Sequence, residues 1–282
     1  MNVLKHIDLA IKDAEYGIDG ISAILLLGEP GVGKTFLGEA VVEIWEAKRK
    51  IFFQLYEGVE KEKLLMDISV PRLVKAMVGK DASDQSISDI IQDGVLYQFV
   101  RSTQKTKTVL ILDELDKADE EVDILMLDLL QNGRISDPSF GEVFANSRNG
   151  IIVMTSNEER KLNKALYRRI RKVRMIYPDP KQQFDLLNFK AEKEIIAIGE
   201  KKVNHLIKIS EAYRLLKPEI KTNPYVLYRI IMDLYTMQHS EKEDIVDLIR
   251  DWFSSETHDW KLIDEKLKVD SKSFKDYVIA NF

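Results

Sequence analysis

The chain has 282 residues, 45% of them hydrophobic and 32% charged, enough for a large domain plus a small one and too apolar for a disordered protein. Lys and Arg number 42 against 47 Asp and Glu, a net charge of −5, which argues against wholesale coating by nucleic acid and leaves room only for a local basic patch. There is no cysteine, so disulfides and thiolate metal sites are excluded, and 4 scattered histidines argue against zinc.

No long apolar span is present, and the opening MNVLKHIDLAIKDAEYG is too charged for a signal peptide, so a soluble, cytoplasmic chain without a membrane partner is expected. Residues 4–17 read as a helix. AILLL (23–27) reads as a buried strand running into the glycine turn GEPGVGKT, and Leu37, Val41, Ile44 and Trp45 give a helix over 34–50. IFFQL (51–55) is a second strand, followed by predicted helices over 60–79 and 86–102, with Ser86 or Ser88 as a cap. TVLILDE (108–114) is a strand ending in two acids. A helix covers 120–131, a turn-rich hairpin 131–150, a strand 150–157, and VRMIY (173–177) alternates like a half-exposed strand. After PDP (178–180) the pattern is helical: 181–198, 201–216, 224–238, 241–254 and two short pieces to Phe282.

Strands alternating with helices imply a parallel sheet covered on both faces. The expected architecture is a three-layer α/β/α phosphate-loop NTPase domain with a five-stranded parallel sheet over residues 1–178. A small all-α lid with a C-terminal extension follows over 179–282.

GEPGVGKT fits G-x-x-x-x-G-K-[ST] in full and lies between a strand and a helix, as a phosphate cradle requires. Glycines let backbone N–H groups turn onto phosphate oxygens, and the helix start adds its positive end. Gly28, Glu29, Pro30, Gly31, Val32, Gly33, Lys34, Thr35 and Phe36 are the expected nucleotide-binding set. Lys34 is expected on the β- and γ-phosphates of ATP, Thr35 and Asp113 on Mg²⁺, and Glu114 as the base that polarises the attacking water. Asn157 ends another apolar strand, where its amide either orients water against the γ-phosphate or caps a turn. Asp116 reads as an ordinary surface acid.

In this order GEPGVGKT, VLILDE, TSN and ALYRRI resemble the AAA+ ATPases over residues 1 to 240. DELDKADEEVDILMLDLLQNGRI is similar to the MoxR and McrB-like branch. The resemblance implies Asn157 as first sensor and Arg169, with Arg168 next, as an arginine finger. Such a finger reaches the γ-phosphate held by the neighbouring subunit of a homo-oligomeric ring. Arg171, Lys172 and Arg174 then read as interface or solvated residues. The family's second-sensor arginine is replaced by Tyr225 in NPYV, with Lys221 or Arg229 as possible substitutes. Gln54 ends the second strand, a position from which a polar side chain reaches Glu114. The implied function is Mg²⁺-dependent ATP hydrolysis that remodels a protein partner. The alternative is a DNA-associated ATPase, a replication loader, transposition helper or restriction-type translocase, which needs basic residues such as Arg134 and Arg148 in the hairpin.

Overall fold

The computed structural model describes residues 3–17, 20–68, 91–137, 141–216, 224–237, 241–253 and 263–282. The chain divides into two compact units, Met1–Glu29 with Lys34–Met175, and Pro30–Gly33 with Ile176–Phe282.

In the first unit, β1 (Ser22–Leu27), β2 (Arg49–Gln54), β5 (Thr108–Asp113), β8 (Gly150–Ser156) and β9 (Arg171–Arg174) form one sheet in the order β2-β5-β8-β1-β9, every pair parallel. Each of β1 and β8 is buried along its whole length, as expected of strands covered on both faces. Alternation sorts their side chains into two cores. Ile24, Leu26, Val109, Ile111, Ile151 and Val153 pack with Ile7 and Ala10 of α1 (Val3–Tyr16) and Val41 of α2 (Lys34–Ile44). Leu25, Leu27, Leu110, Leu112, Ile152 and Met154 pack on the other face. Their partners are Leu64 of α3 (Lys61–Leu65), Phe99 of α4 (Val95–Thr103), Met126 of α5 (Glu120–Asn132) and Leu166 of α6 (Lys164–Arg169). The three-layer reading of the sequence holds.

Three predicted helices are shorter than their periodicity suggested: the one expected over 34–50 ends at Ile44, and Arg49 and Lys50 already belong to β2. The one expected over 60–79 ends at Leu65. Met66–Ile68 (β3) is extended and pairs antiparallel with Ile91–Asp93 (β4), so the helix expected over 86–102 begins only at Val95. For these two the reason is Gly94. Its N–H donates to Leu65 O at 2.8 Å, and a Cβ there would stand 2.4 Å from Leu64 O, so only glycine lets the two segments close. Ser86, Ser88 and the remainder of both predicted spans lie outside the described residues. The turn-rich stretch forms the antiparallel pair β6 (Arg134–Asp137) and β7 (Gly141–Phe144).

The second unit carries α7 (Pro180–Ile198), α8 (Glu200–Leu216), α9 (Pro224–Thr236), α10 (Lys242–Phe253) and α11 (Phe274–Asn281) around a core that includes Leu187, Leu206, Ile230, Ile249 and Phe274. Asp179 caps α7 with a reciprocal capping box to Gln182, and Pro180 opens the helix, which is why PDP marks the start so sharply. The unit is not wholly helical. Lys268–Val269 and Lys272–Ser273 pair antiparallel across Asp270 and Ser271, both at positive φ.

His205 Nδ1 and the Tyr277 hydroxyl oxygen lie 2.7 Å apart in this unit. Burial, and then the neighbouring Lys208, hold the imidazole below its ordinary value, against an opposing pull from Asp270. The folded state therefore prefers neutral His205. Its contribution to stability is present above the unfolded value of about 6.5 and is lost as pH falls toward the folded value. Melting temperature is expected to fall as pH is lowered from 7.5 toward 5.5, and His205→Gln should flatten that slope. Parallel melts of both proteins across this range check it, and identical slopes would refute the assignment.

Candidate nucleotide site

The register of the sheet brings the expected site residues to one edge. Leu27 lies opposite Ser156, Leu112 opposite Met154 and Gln54 opposite Asp113, so β1, β2, β5 and β8 deliver Gly28, Gln54, Asp113 and Asn157 at their carboxyl ends, where open parallel sheets bind ligands. The turn after β1 has Gly31 at φ 82° and Gly33 at φ 90°, conformations costly for residues with a side chain.

Lys34 opens α2, and its side chain folds back over the turn. Nζ donates to Gly28 O, Glu29 O and Asn157 Oδ1, each at 2.8 Å, and the residue is 7% exposed. A charge this buried requires such oxygen partners. Lys34 and Asn157, 123 residues apart, thus meet directly.

Thr35 Oγ1 donates to Asp113 Oδ1 at 2.9 Å, and Thr155 Oγ1 donates to the same oxygen at 2.7 Å. Thr155 in turn accepts from the Glu114 backbone N–H at 2.9 Å. The sequence reading missed Thr155. Its signal was register, since it stands one step beyond the Leu112–Met154 pair and so level with Asp113. Glu114 adopts a left-handed conformation (φ 60°, ψ 51°), which costs a β-carbon-bearing residue about 1–2 kcal/mol. Its carboxylate accepts from Gln54 Nε2 at 3.2 Å and lines a cavity of about 580 Å³ with Gln54, Leu55, Tyr56, Glu57 and Lys117.

Asp116 is not a surface acid. It is 4% exposed and accepts backbone N–H bonds from Asn157 (3.2 and 3.1 Å to its two oxygens) and Glu159 (2.8 Å). Its position beside Asp113 and Glu114 suggested solvent. The turn Leu115–Lys117 instead swings it under the end of β8. Asp123, fully buried on α5, likewise holds Arg160 through two bonds of 2.9 and 3.0 Å and accepts from Asn163 N at 2.7 Å. Neither pairing has a local sequence signal.

The basic run separates into two kinds. Arg171 pairs with Asp13, Arg174 with Glu158 at 2.6 and 2.7 Å, and Lys172 donates to Tyr167 O at 2.9 Å while lying over that ring. The Arg174 bond holds the Glu158 carboxyl below the usual range. Arg168 and Arg169 are exposed at the end of α6, and no hydrogen bond or ion pair engages them among the described residues. Arg168 lines a cavity of about 480 Å³ with Leu27, Ser156 and Tyr167.

Of the remaining candidates, Phe36 and Tyr225 are exposed, Tyr225 on α9 of the second unit. Arg229 stacks over Trp252 at 5.6 Å, and Lys221 lies outside the described residues. Among the described residues no group of three His, Asp or Glu side chains forms a metal cage. The Thr35–Asp113 oxygen pair fits Mg²⁺ all the same, because that ion takes hard oxygens, keeps several waters and commonly completes its shell with substrate phosphates.

The family model of the AAA domain (Cdc48 subfamily) matches residues 19–215. The chain belongs to this family. It is therefore an ATPase domain, and the matched span contains the phosphate turn, the acid strand, Asn157 and the basic run. Similar proteins include chaperone protein ClpB of Mycoplasma genitalium, 35% identical over 139 residues, 49% of this chain and 17% of ClpB. ClpB of Aquifex aeolicus is 32% identical over 160 residues, 55% of this chain and 14% of that protein. The aligned part is thus less than a fifth of these relatives. A variant of Thermotoga maritima RuvB superposes with a TM-score of 0.53 at 15% identity, covering 93% of this chain and 69% of RuvB, a likeness of fold alone. The resemblance to the MoxR and McrB-like branch finds no support in these relatives.

Proposed function

We propose that this AAA domain binds Mg²⁺–ATP at the carboxyl edge of its sheet, hydrolyses it, and works in a ring of copies to remodel a protein client. The observation that carries the reading is the convergence of Lys34, Thr35, Asp113, Glu114 and Asn157 from two strand ends and one helix start, joined by hydrogen bonds that for Glu114 run through Thr155. Lys34 neutralises the β- and γ-phosphates. Thr35 and Asp113 hold the metal, which when bound offsets charge on the phosphate oxygens. Glu114 accepts the proton of a water that attacks the γ-phosphorus as the bond to ADP breaks, and Asn157 orients that water. The Gln54 contact restrains the Glu114 carboxylate beside the cavity.

Arg169 supplies positive charge to a neighbouring copy's site, with Arg168 as the second choice. The intrachain partners of Arg171, Lys172 and Arg174 leave these two for an external anion. Arg169→Ala is expected to leave ATP affinity unchanged and to lower turnover at least about tenfold, read by nucleotide titration and phosphate release. Normal turnover would remove Arg169 from the site.

The relatives, named as chaperone proteins, favour a protein client over a MoxR-type or McrB-like role. The hairpin supports the same choice over DNA, because Arg134 is neutralised by Asp128 at 3.2 Å and Glu142 at 2.6 Å. Phosphate release by the purified chain with Mg²⁺–ATP is the test, alone, with a permanently unfolded protein, and with duplex DNA. Stimulation by the unfolded protein alone is expected. Stimulation by DNA that fades steeply with salt would replace this client with nucleic acid.

A further inference from the structure

The Asp116 carboxylate is nearly inaccessible, and among the described residues no cationic side chain pairs with it. It is balanced by the N–H groups of Asn157 and Glu159, which flank Glu158 at φ 65°. Bonds to an ionised acceptor are roughly twice as strong as neutral ones. The left-handed residue between the two donors turns both N–H groups toward one carboxylate. Glu158 N adds a bond to Ser156 Oγ at 2.9 Å. The backbone of Asn157 is thereby gripped from one side while its side-chain oxygen meets Lys34 Nζ on the other.

We propose that Asp116 is a positioning residue for ATP hydrolysis: it holds the backbone at Asn157 so that the amide faces the γ-phosphate position marked by Lys34. The proposal rests on the ATPase reading above. Asp116 touches none of the groups assigned to phosphate or metal, so it acts on turnover through Asn157 and leaves nucleotide affinity alone. A displacement of about 1 Å in a water-orienting group is enough to cost on the order of a hundredfold in rate. A buried acid with a merely structural role would lower stability without singling out kcat.

The test is a cycle of variants in steady-state ATP hydrolysis. Asp116→Ala is expected to lower kcat about 30–100-fold with KM for ATP within about threefold. Asp116→Asn retains one acceptor oxygen and should recover most of that loss. In an Asn157→Ala background, Asp116→Ala and Asp116→Asn should cost nothing further, because the group through which they act is gone. Amide exchange should show protected Asn157 and Glu159 N–H groups in the unsubstituted protein and faster exchange in Asp116→Ala. Losses that multiply in the double variants, or an unchanged kcat in folded Asp116→Ala, overturn the proposal. Should Asp116→Ala not fold, Asp116→Ser, which also removes the carboxylate, takes its place in the cycle with the same expected and overturning outcomes. An unsubstituted protein that turns over no ATP overturns the ATPase reading and this proposal together, a result distinct from active protein indifferent to Asp116.

Discussion

Lys34→Ala is expected to reduce ATP affinity by roughly 10²–10⁴, below detection in an ordinary titration, while the fold is retained. The magnitude follows from what the side chain does. It is a nearly buried cation that presents three donors at the turn, to two backbone carbonyls and Asn157. In the proposed complex those donors would face phosphate oxygens, and each charge-assisted bond contributes about 1.5–3 kcal/mol. Truncation also leaves Asn157 Oδ1 without this donor. Lys34→Arg should not rescue, because a planar guanidinium does not reproduce a compact ammonium against two carbonyls in a tight turn. Calorimetric titration with a non-hydrolysable ATP analogue and Mg²⁺ is the measurement. Affinity within fivefold of the unsubstituted protein would mean that GEPGVGKT is not the phosphate cradle.

Glu114→Gln is expected to lower turnover by about 10²–10⁴ while ATP remains bound. The substitution is isosteric and keeps the left-handed backbone, so stability should barely change. What is lost is the capacity to take a proton from water. Glu114→Gly should be equally inactive, yet as stable or up to about 1 kcal/mol more stable, since glycine adopts φ 60° without strain. A proposed general base held in an unfavourable backbone conformation predicts this opposition of stability and activity. The trapped Glu114→Gln protein also tests the shared site. With Mg²⁺–ATP its solution mass should rise to a discrete assembly of several copies, and without nucleotide it should not. A monomer under both conditions would leave Arg169 with no neighbour to serve.

The legible part of the site is the part whose chemistry is local in sequence. Glycines at Gly31 and Gly33 announce a turn that other residues resist. Lys34 and Thr35 follow at the helix start, and the apolar run ending in Asp113 and Glu114 marks a strand edge. Continuous apolar runs alternating with helical patterns pointed to the two-faced sheet, because a strand covered on both sides must be apolar throughout. PDP announced the change to helices for an equally local reason, a cap and a proline in the first turn.

The tertiary structure alone decided which charges are spoken for. Asp116 read as a surface acid, yet it is buried against backbone N–H groups, as Asp123 is against Arg160, each from partners more than 35 residues away. Arg171 and Arg174 look like their neighbours Arg168 and Arg169 in the sequence, but Asp13 and Glu158 claim them. Gly94 ended a predicted helix through a contact with Leu64 that no periodicity carries. The chain encodes turns, strand edges and phosphate chemistry in short windows, because those depend on backbone preference and residue type. Burial of a charge and its partner depend on register between distant segments, and that register exists only once the sheet has formed.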